Sequence, residues 1–278
     1  MTASESLAVG VLQLDGQNGE RRERIGRARD AVRLAAEQIA AADTAYGILV
    51  LPELWPTGFF HFDAYESGAE ALDGPVVAAL LAEAREARIW IVGGSLVERS
   101  TAGLHNTTVV ADDSGELVAT YRKIHLFGHE SREAQLLRAG SGPCIVESPF
   151  GRIGLMTCYD LRFPELTRDL ATQGATMIVI VSAWPAARIE HWRTLLRARA
   201  IENQLWVVAA NAVGDDAGVH VGGHSTVIAP DGEVLAEAGG DSESTLIEEI
   251  DLERVSSVRD LLPFVGDNRY TVELRSTT

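Results

Sequence analysis

Met156-Thr-Cys-Tyr-Asp-Leu-Arg-Phe-Pro-Glu165 is the stretch around which this chain is organised. Before it, residues 152–157 (RIGLMT) form an apolar run of the buried-strand kind. After it, residues 163–173 (FPELTRDLATQ) have helical spacing, with Pro164 in the first turn, where an N–H is not needed. Cys158 therefore sits at a strand-to-helix turn. There a side chain is lifted clear of the sheet, close to helix N-terminal amides that favour a nucleophilic thiolate. Position alone leaves a second reading open, because free cysteine is also a small and commonly buried hydrophobe.

With 278 residues the chain is long enough to bury a sizeable core. Its 40 acidic and 24 basic residues give a net charge of -16, and no basic stripe occurs, which argues against nucleic acid and anionic membranes as partners. The start MTASES is polar, the apolar run behind it is too short for a signal peptide, and no stretch reaches transmembrane length. Two cysteines, Cys144 and Cys158, are too few for a disulfide framework and indicate a reducing, cytoplasmic setting. Cys144, in a hairpin strand, reads as inert packing. Among the basic residues only Lys123 is a lysine. In so arginine-rich a background a lone lysine marks either chance or a site that wants a compact ammonium.

Taken in order, residues 7–14 read as a buried strand, 19–42 as a surface helix and 46–51 as a second buried strand with Glu53 at its carboxyl end. A loop rich in aromatics (Trp55, Phe59, Phe60, His61, Phe62, Tyr65) leads to a helix at 75–88 and a strand at 89–97. A hairpin spans 105–121, turning at Asp113-Ser-Gly115, and a second spans 224–237. Residues 108–119 and 226–236 match with one residue inserted, an internal echo that predicts two similar halves packed as two sheets with helices outside. Between the halves lies a loop carrying Lys123, long enough to expect function of it. The hairpin 143–157, turning at Phe150-Gly151, delivers Cys158. Strands at 176–181, 205–212 and 244–251 and helices at 190–203 and 252–259 follow. Residues 262–278 lack a core pattern and are expected to lie on a partner subunit.

Glu53, Lys123 and Cys158 each follow a predicted strand, an arrangement seen where α/β sheets gather a site at their strand ends. Their motifs are Leu51-Pro-Glu53-Leu-Trp55, Tyr121-Arg-Lys123-Ile-His125-Leu-Phe127 and Cys158-Tyr-Asp-Leu-Arg-Phe-Pro-Glu165-Leu. Together, in this order, they resemble the nitrilase superfamily of carbon-nitrogen hydrolases, in particular its amidase and omega-amidase branch. The resemblance implies an α/β fold, a four-layer α-β-β-α sandwich of two mixed sheets in a single domain over 1–278, with no cofactor and no metal. It also implies a homodimer or higher homo-oligomer, paired through the helices after the cysteine and in the 190s.

The activity implied is hydrolysis of a small non-peptide carboxylic amide to acid and ammonia through a cysteine thioester. Such a reaction needs a nucleophile, a group that takes and returns a proton, and donors for the tetrahedral oxyanion. By resemblance Cys158 is the nucleophile, Glu53 the general base and then acid, and Lys123 with the Tyr159 N–H the oxyanion hole. The lysine is further expected to lower the cysteine's pKa. A second glutamate that positions Lys123 is implied; Glu130 and Glu133 are available, and the run Glu133-Ala-Gln-Leu-Leu-Arg-Ala-Gly140 favours Glu133. Tyr159, Trp184, Pro185 and Phe127 are the candidate substrate-binding walls. An N-carbamoyl amino acid hydrolase or a nitrilase would use the same residues, and a catalytically silent binding subunit would keep only the scaffold. Nitrilases proper more often carry tryptophan where this chain has Tyr159.

His125 and His129 have i, i+4 spacing, but the segment does not read as a helix and no acidic partner motif accompanies them, so no metal site is expected. Asp160, Arg162 and Glu165 read as an ion-pair network supporting the cysteine turn. His224 and Asn211 read as satisfied core polar groups.

Overall fold

The computed structural model describes residues 6–16, 20–129 and 131–271. Its first half runs β1 (Ser6–Gln13), α1 (Arg21–Ala40), β2 (Tyr46–Val50), α2 (Tyr65–Gly68), α3 (Pro75–Ala87), β3 (Trp90–Ser100), β4 (Gly103–Ala111) and β5 (Leu117–Arg122). After α4 (Glu133–Leu136) come β6 (Ile145–Ser148), β7 (Gly151–Thr157), α5 (Pro164–Thr172), β8 (Met177–Ser182), α6 (Ile189–Asn203) and β9 (Trp206–Asn211). The remainder is β10 (Val213–Asp216), β11 (Val219–Gly222), β12 (Thr226–Ile228), β13 (Val234–Glu237), β14 (Ser244–Asp251) and α7 (Arg254–Leu261).

The strands form two six-stranded mixed sheets, ordered β14-β1-β2-β3-β4-β5 and β13-β12-β9-β8-β7-β6. The halves correspond element by element. In each, three parallel strands (β1, β2, β3; β7, β8, β9) are followed by an antiparallel hairpin (β4–β5; β12–β13), with an antiparallel strand (β14; β6) on the far edge. The internal echo in the sequence falls on those two hairpins.

Alternation along the strands explains the four layers. Leu7, Val9 and Val11 of β1 point inward and meet Ile153, Leu155 and Val179 of the other sheet. Ala8 and Leu12 point outward, to Val32 and Ile39 of α1 and Leu80 of α3. In the second sheet Ile178 and Ile180 point outward beneath α5 and α6, against Leu170, Trp192 and Leu196. Because both faces are covered, these strands are continuous apolar runs rather than alternating ones. Each fully buried aliphatic side chain contributes about 1.5–3 kcal/mol. Pro75 and Pro164 open α3 and α5, as their fixed φ favours.

Three details differ from the sequence reading. The β6–β7 turn is Pro149-Phe150, because Gly151 already pairs with Ser148 and uses its positive φ of 117° to open β7. The ribbon β10–β11 was not expected; its strands are four residues each and Gly214 and Gly218 interrupt any alternation. The last helix is Arg254–Leu261, two residues later than the periodicity indicates. Residues 262–271 expose Leu262 and Tyr270, while 272–278, part of the tail expected on a partner, lie outside the described residues. Among the described residues no helix is long and apolar enough to cross a membrane.

Candidate active site

The three strand ends converge. Glu53 follows β2 in a tight turn in which Leu54 takes a left-handed φ of 45°. Ser95 holds that turn from both sides: its N–H donates to the Pro52 carbonyl (3.2 Å) and its Oγ accepts from the Leu54 N–H (2.9 Å). A Cβ on Gly94 would collide with the Pro52 carbonyl, so this approach requires glycine. Lys123 directly follows β5, its N–H donating to the Asn106 carbonyl and its carbonyl accepting from the Gly140 N–H, both at 2.9 Å. Cys158 directly follows β7 with a φ of 48°, left-handed for a non-glycine residue. Such a conformation costs on the order of 1–3 kcal/mol and clusters at functional sites.

Lys123, Glu53 and Glu133 are completely buried together. Lys123 Nζ lies 2.9 Å from Glu53 Oε1 and 3.0 Å from both Glu133 oxygens. Asn106 Nδ2 donates to both carboxylates, at 2.8 Å to Glu53 and 2.9 Å to Glu133. The Ala183 N–H donates to Glu53 Oε2 (2.9 Å) and the Phe127 N–H to Glu133 Oε2 (2.7 Å). The Phe59 ring lies 5.1 Å from the ammonium. Burial works against the ammonium, but Glu133 and Glu53 outweigh it and raise the Lys123 pKa, so the side chain stays charged. Burial, reinforced by Glu53, raises Glu133 despite the lysine. Of the two candidate glutamates, Glu133 is the one that contacts Lys123; Glu130 lies outside the described residues.

The thiol departs from expectation. Burial first, then the charge of Glu53, raise the Cys158 pKa, and the opposing effects of Lys123 and the Ser182 hydroxyl do not compensate. The turn amides were expected to favour a thiolate and the lysine to lower the pKa; the lysine does lower it, but burial and Glu53 outweigh it. A buried site beside a carboxylate keeps the proton on sulfur instead.

Asp160 also differs from its expected role. Among the described residues, none of Asp160, Arg162 and Glu165 pairs with another. Asp160 accepts from Tyr121 Oη (2.7 Å), the Thr157 N–H (2.9 Å), the His125 N–H (3.0 Å) and His125 Nδ1 (2.8 Å). It thereby ties the lysine loop to the cysteine turn, and His125 is further stacked on Phe163 at 3.8 Å. Arg162 instead turns to the Trp184 ring, 4.6 Å away. The expected grouping does not form because a buried carboxylate takes the neutral donors within reach and leaves the guanidinium to an aromatic face.

Above Cys158 opens a cavity whose wall includes Phe127, Tyr159, Trp184 and Pro185, with Phe59, Phe60 and Ala183 beside them. Tyr159 meets Phe127 edge-on at 5.1 Å. Arg162 and Arg188 complete the wall. Arg188 lies over Phe127 at 5.8 Å, and neither guanidinium has a carboxylate partner among the described residues. Burial, and after it the like charge of Arg188 on the same cavity, lower the Arg162 pKa. Asn211 fixes the wall, accepting from the Trp184 N–H (2.6 Å) and donating to the Gly223 carbonyl (2.6 Å), while His224 Nδ1 meets Glu237 (3.1 Å). Cys144 is half-buried against the inter-sheet core. Among the described residues no three His, Cys, Asp or Glu side chains gather as metal ligands.

Sequence reasoning missed Asn106, Ser182 and Arg188. Asn106 alone carried a signal, as an amide inside a predicted hairpin strand.

Residues 8–260 match the family model described as carbon-nitrogen hydrolase. The chain belongs to the carbon-nitrogen hydrolase family. This carbon-nitrogen hydrolase is 39% identical to the 2-oxoglutaramate amidase of Paenarthrobacter nicotinovorans over 272 residues, covering 95% of this chain and 90% of that one. It is 36% identical to the omega-amidase of Homo sapiens over 270 residues, covering 91% and 93%. A mutant of the amidase from Nesterenkonia sp. AN1 superposes with a TM-score of 0.80 at 25% identity, over 97% of this chain and 95% of that one. That structure has the acetamide moiety of fluoroacetamide covalently added at its active site cysteine.

Proposed function

We propose that this carbon-nitrogen hydrolase is an amidase that removes ammonia from the terminal amide of a short aliphatic acid. The observation that carries the substrate class is the pair Arg162 and Arg188, two cations without carboxylate partners among the described residues, on an otherwise apolar wall above the thiol. An unpaired guanidinium facing a cavity selects a carboxylate. The apolar walls suit the methylenes between that carboxylate and the amide. The named activities of the 2-oxoglutaramate amidase and omega-amidase relatives agree with this reading.

In the mechanism, Glu53 takes the Cys158 proton as sulfur attacks the amide carbon. Lys123 and the Tyr159 N–H receive the negative charge on the tetrahedral oxygen. The C–N bond breaks, Glu53 returns the proton to the departing nitrogen, and ammonia leaves a thioester on Cys158. Glu53 then draws a proton from water, whose oxygen attacks the thioester and releases the acid and the thiol. Glu133 and Asn106 hold Lys123 and Glu53 in place throughout. We read the protein as a cytoplasmic homodimer, since its two cysteines are free and the large apolar side chains of Leu261, Leu262 and Tyr270 are exposed.

Ammonia release from four compounds of matched length tests the reading: an amide with a distal carboxylate, the same amide without it, an N-carbamoyl amino acid and a nitrile. The carboxylate-bearing amide is expected to give the highest kcat/KM. Turnover confined to the carbamoyl compound or the nitrile contradicts the proposal.

A further inference from the structure

Ser182 ends β8 one residue beyond the Thr157–Val181 pair that aligns β7 with β8, which places it beside the turn that opens at Cys158. Its backbone is already committed, since its carbonyl accepts from the N–H groups of Glu53 (3.3 Å) and Ala212 (2.9 Å). Its side chain is completely buried, and among the described residues the hydroxyl has no hydrogen-bond partner. Buried polar groups left unpaired are few in folded proteins, and each calls for a reason. The same hydroxyl lies close enough to Cys158 to favour the ionised sulfur, although it makes no hydrogen bond to the thiol. A hydroxyl hydrogen rotates freely, and a thiolate is a much better acceptor than a thiol.

We propose that Ser182 is a positioning residue for the nucleophile, its hydroxyl donating to the Cys158 sulfur whenever that sulfur carries negative charge. The thiol proton goes to Glu53, and the Ser182 O–H bond is never broken. Other groups facing the sulfur are unsuited to this task. Glu53 repels a thiolate, Lys123 is shared between two carboxylates, Tyr65 donates to the Phe59 carbonyl (2.6 Å), and Arg162 lies on Trp184. Ser182 supplies a neutral donor that stabilises the thiolate without drawing Lys123 away from the oxyanion.

This proposal rests on the reading of Cys158 as the nucleophile, but it is tested on the thiol itself. The rate of Cys158 alkylation by iodoacetamide is followed against pH in the full chain, beside steady-state hydrolysis of the carboxylate-bearing amide. In S182A the alkylation profile moves by about one pH unit to the alkaline side, a roughly 10-fold slower reaction at neutral pH, from the loss of a hydrogen bond to a charged group. kcat falls by a similar factor with KM unchanged, S182T restores both, and the thermal midpoint of S182A is not lowered because the lost hydroxyl had no partner. S182G, which adds no atom, shows the same displacement and replaces S182A if that protein does not fold. A wild-type profile in S182A or S182G, or no restoration by S182T, overturns the proposal. A displaced profile in a protein that hydrolyses no amide leaves Ser182 standing and overturns the proposed function instead.

Discussion

Lys123 Nζ and Glu53 Oε1 form a 2.9 Å ion pair in which neither side chain has any solvent exposure. Glu133 faces the same ammonium, so one cation serves two buried carboxylates. Desolvating such a group costs several kcal/mol per ion, recovered only where every donor and acceptor is met. Here Asn106 Nδ2 and the N–H groups of Ala183 and Phe127 add donors to the two carboxylates. The arrangement also gives a reason for a lysine in an arginine-rich chain. Three rotatable donors on a compact head divide between two acids, whereas a planar fork is fixed in one direction.

Replacing that lysine exposes the cost. K123M leaves Glu53 and Glu133 buried without a cation and should lower unfolding free energy by about 3–5 kcal/mol, read by urea titration. Loss of the oxyanion donor should lower kcat by roughly 100- to 1,000-fold. Wild-type stability or activity in K123M would contradict this account.

E133Q keeps the shape of the side chain and removes its charge. The ammonium is then held on one side only, and misplacement of a donor on this scale should reduce kcat roughly 100-fold. Alkylation of Cys158 should continue, because the thiol and Glu53 are untouched. Equal loss of alkylation and turnover would place Glu133 in the wrong role.

R188A should reduce kcat/KM for the carboxylate-bearing amide by roughly 10- to 100-fold, the worth of a charge-assisted hydrogen bond. The neutral amide should change much less, so the ratio between the two substrates falls. Equal losses on both substrates would remove Arg188 from substrate selection.

Stability should fall at alkaline pH, with Cys158 as one source. Burial and Glu53 raise its pKa above the ordinary 9.0, so the folded chain keeps a proton that the unfolded chain releases. The associated stability is full below about pH 9 and is lost as pH rises above it, by at most about 1.4 kcal/mol per pH unit. Tyr65 and Tyr121, raised by burial above 10.0, add to the decline at higher pH. Urea titrations of wild type and C158A from about pH 8 to about pH 10 should show a shallower decline in C158A. Parallel declines would mean that the thiol titrates normally.

The two halves were legible because a strand covered on both faces leaves a continuous apolar run, and the hairpins repeat nearly the same residues. Glu53 and Cys158 were legible because each follows such a run, and Lys123 because it follows an alternating edge strand, all three in distinctive motifs. The protonation state of Cys158 was not. It depends on burial and on Glu53, which is 105 positions away, and on Ser182 from a neighbouring strand. Arg162 and Asp160 are two residues apart, yet the turn sends one to the cavity and the other beneath it. Adjacency in sequence therefore suggested a pair that the backbone separates.

The central claim is that Cys158 carries the acyl group. Intact-protein and peptide mass spectrometry of the chain, quenched in acid during turnover of the carboxylate-bearing amide, tests it most directly. The predicted result is an adduct equal to the substrate less ammonia on the peptide containing Cys158, absent in C158A, which should not turn over. Undiminished hydrolysis by C158A, or an adduct on another residue, would contradict it.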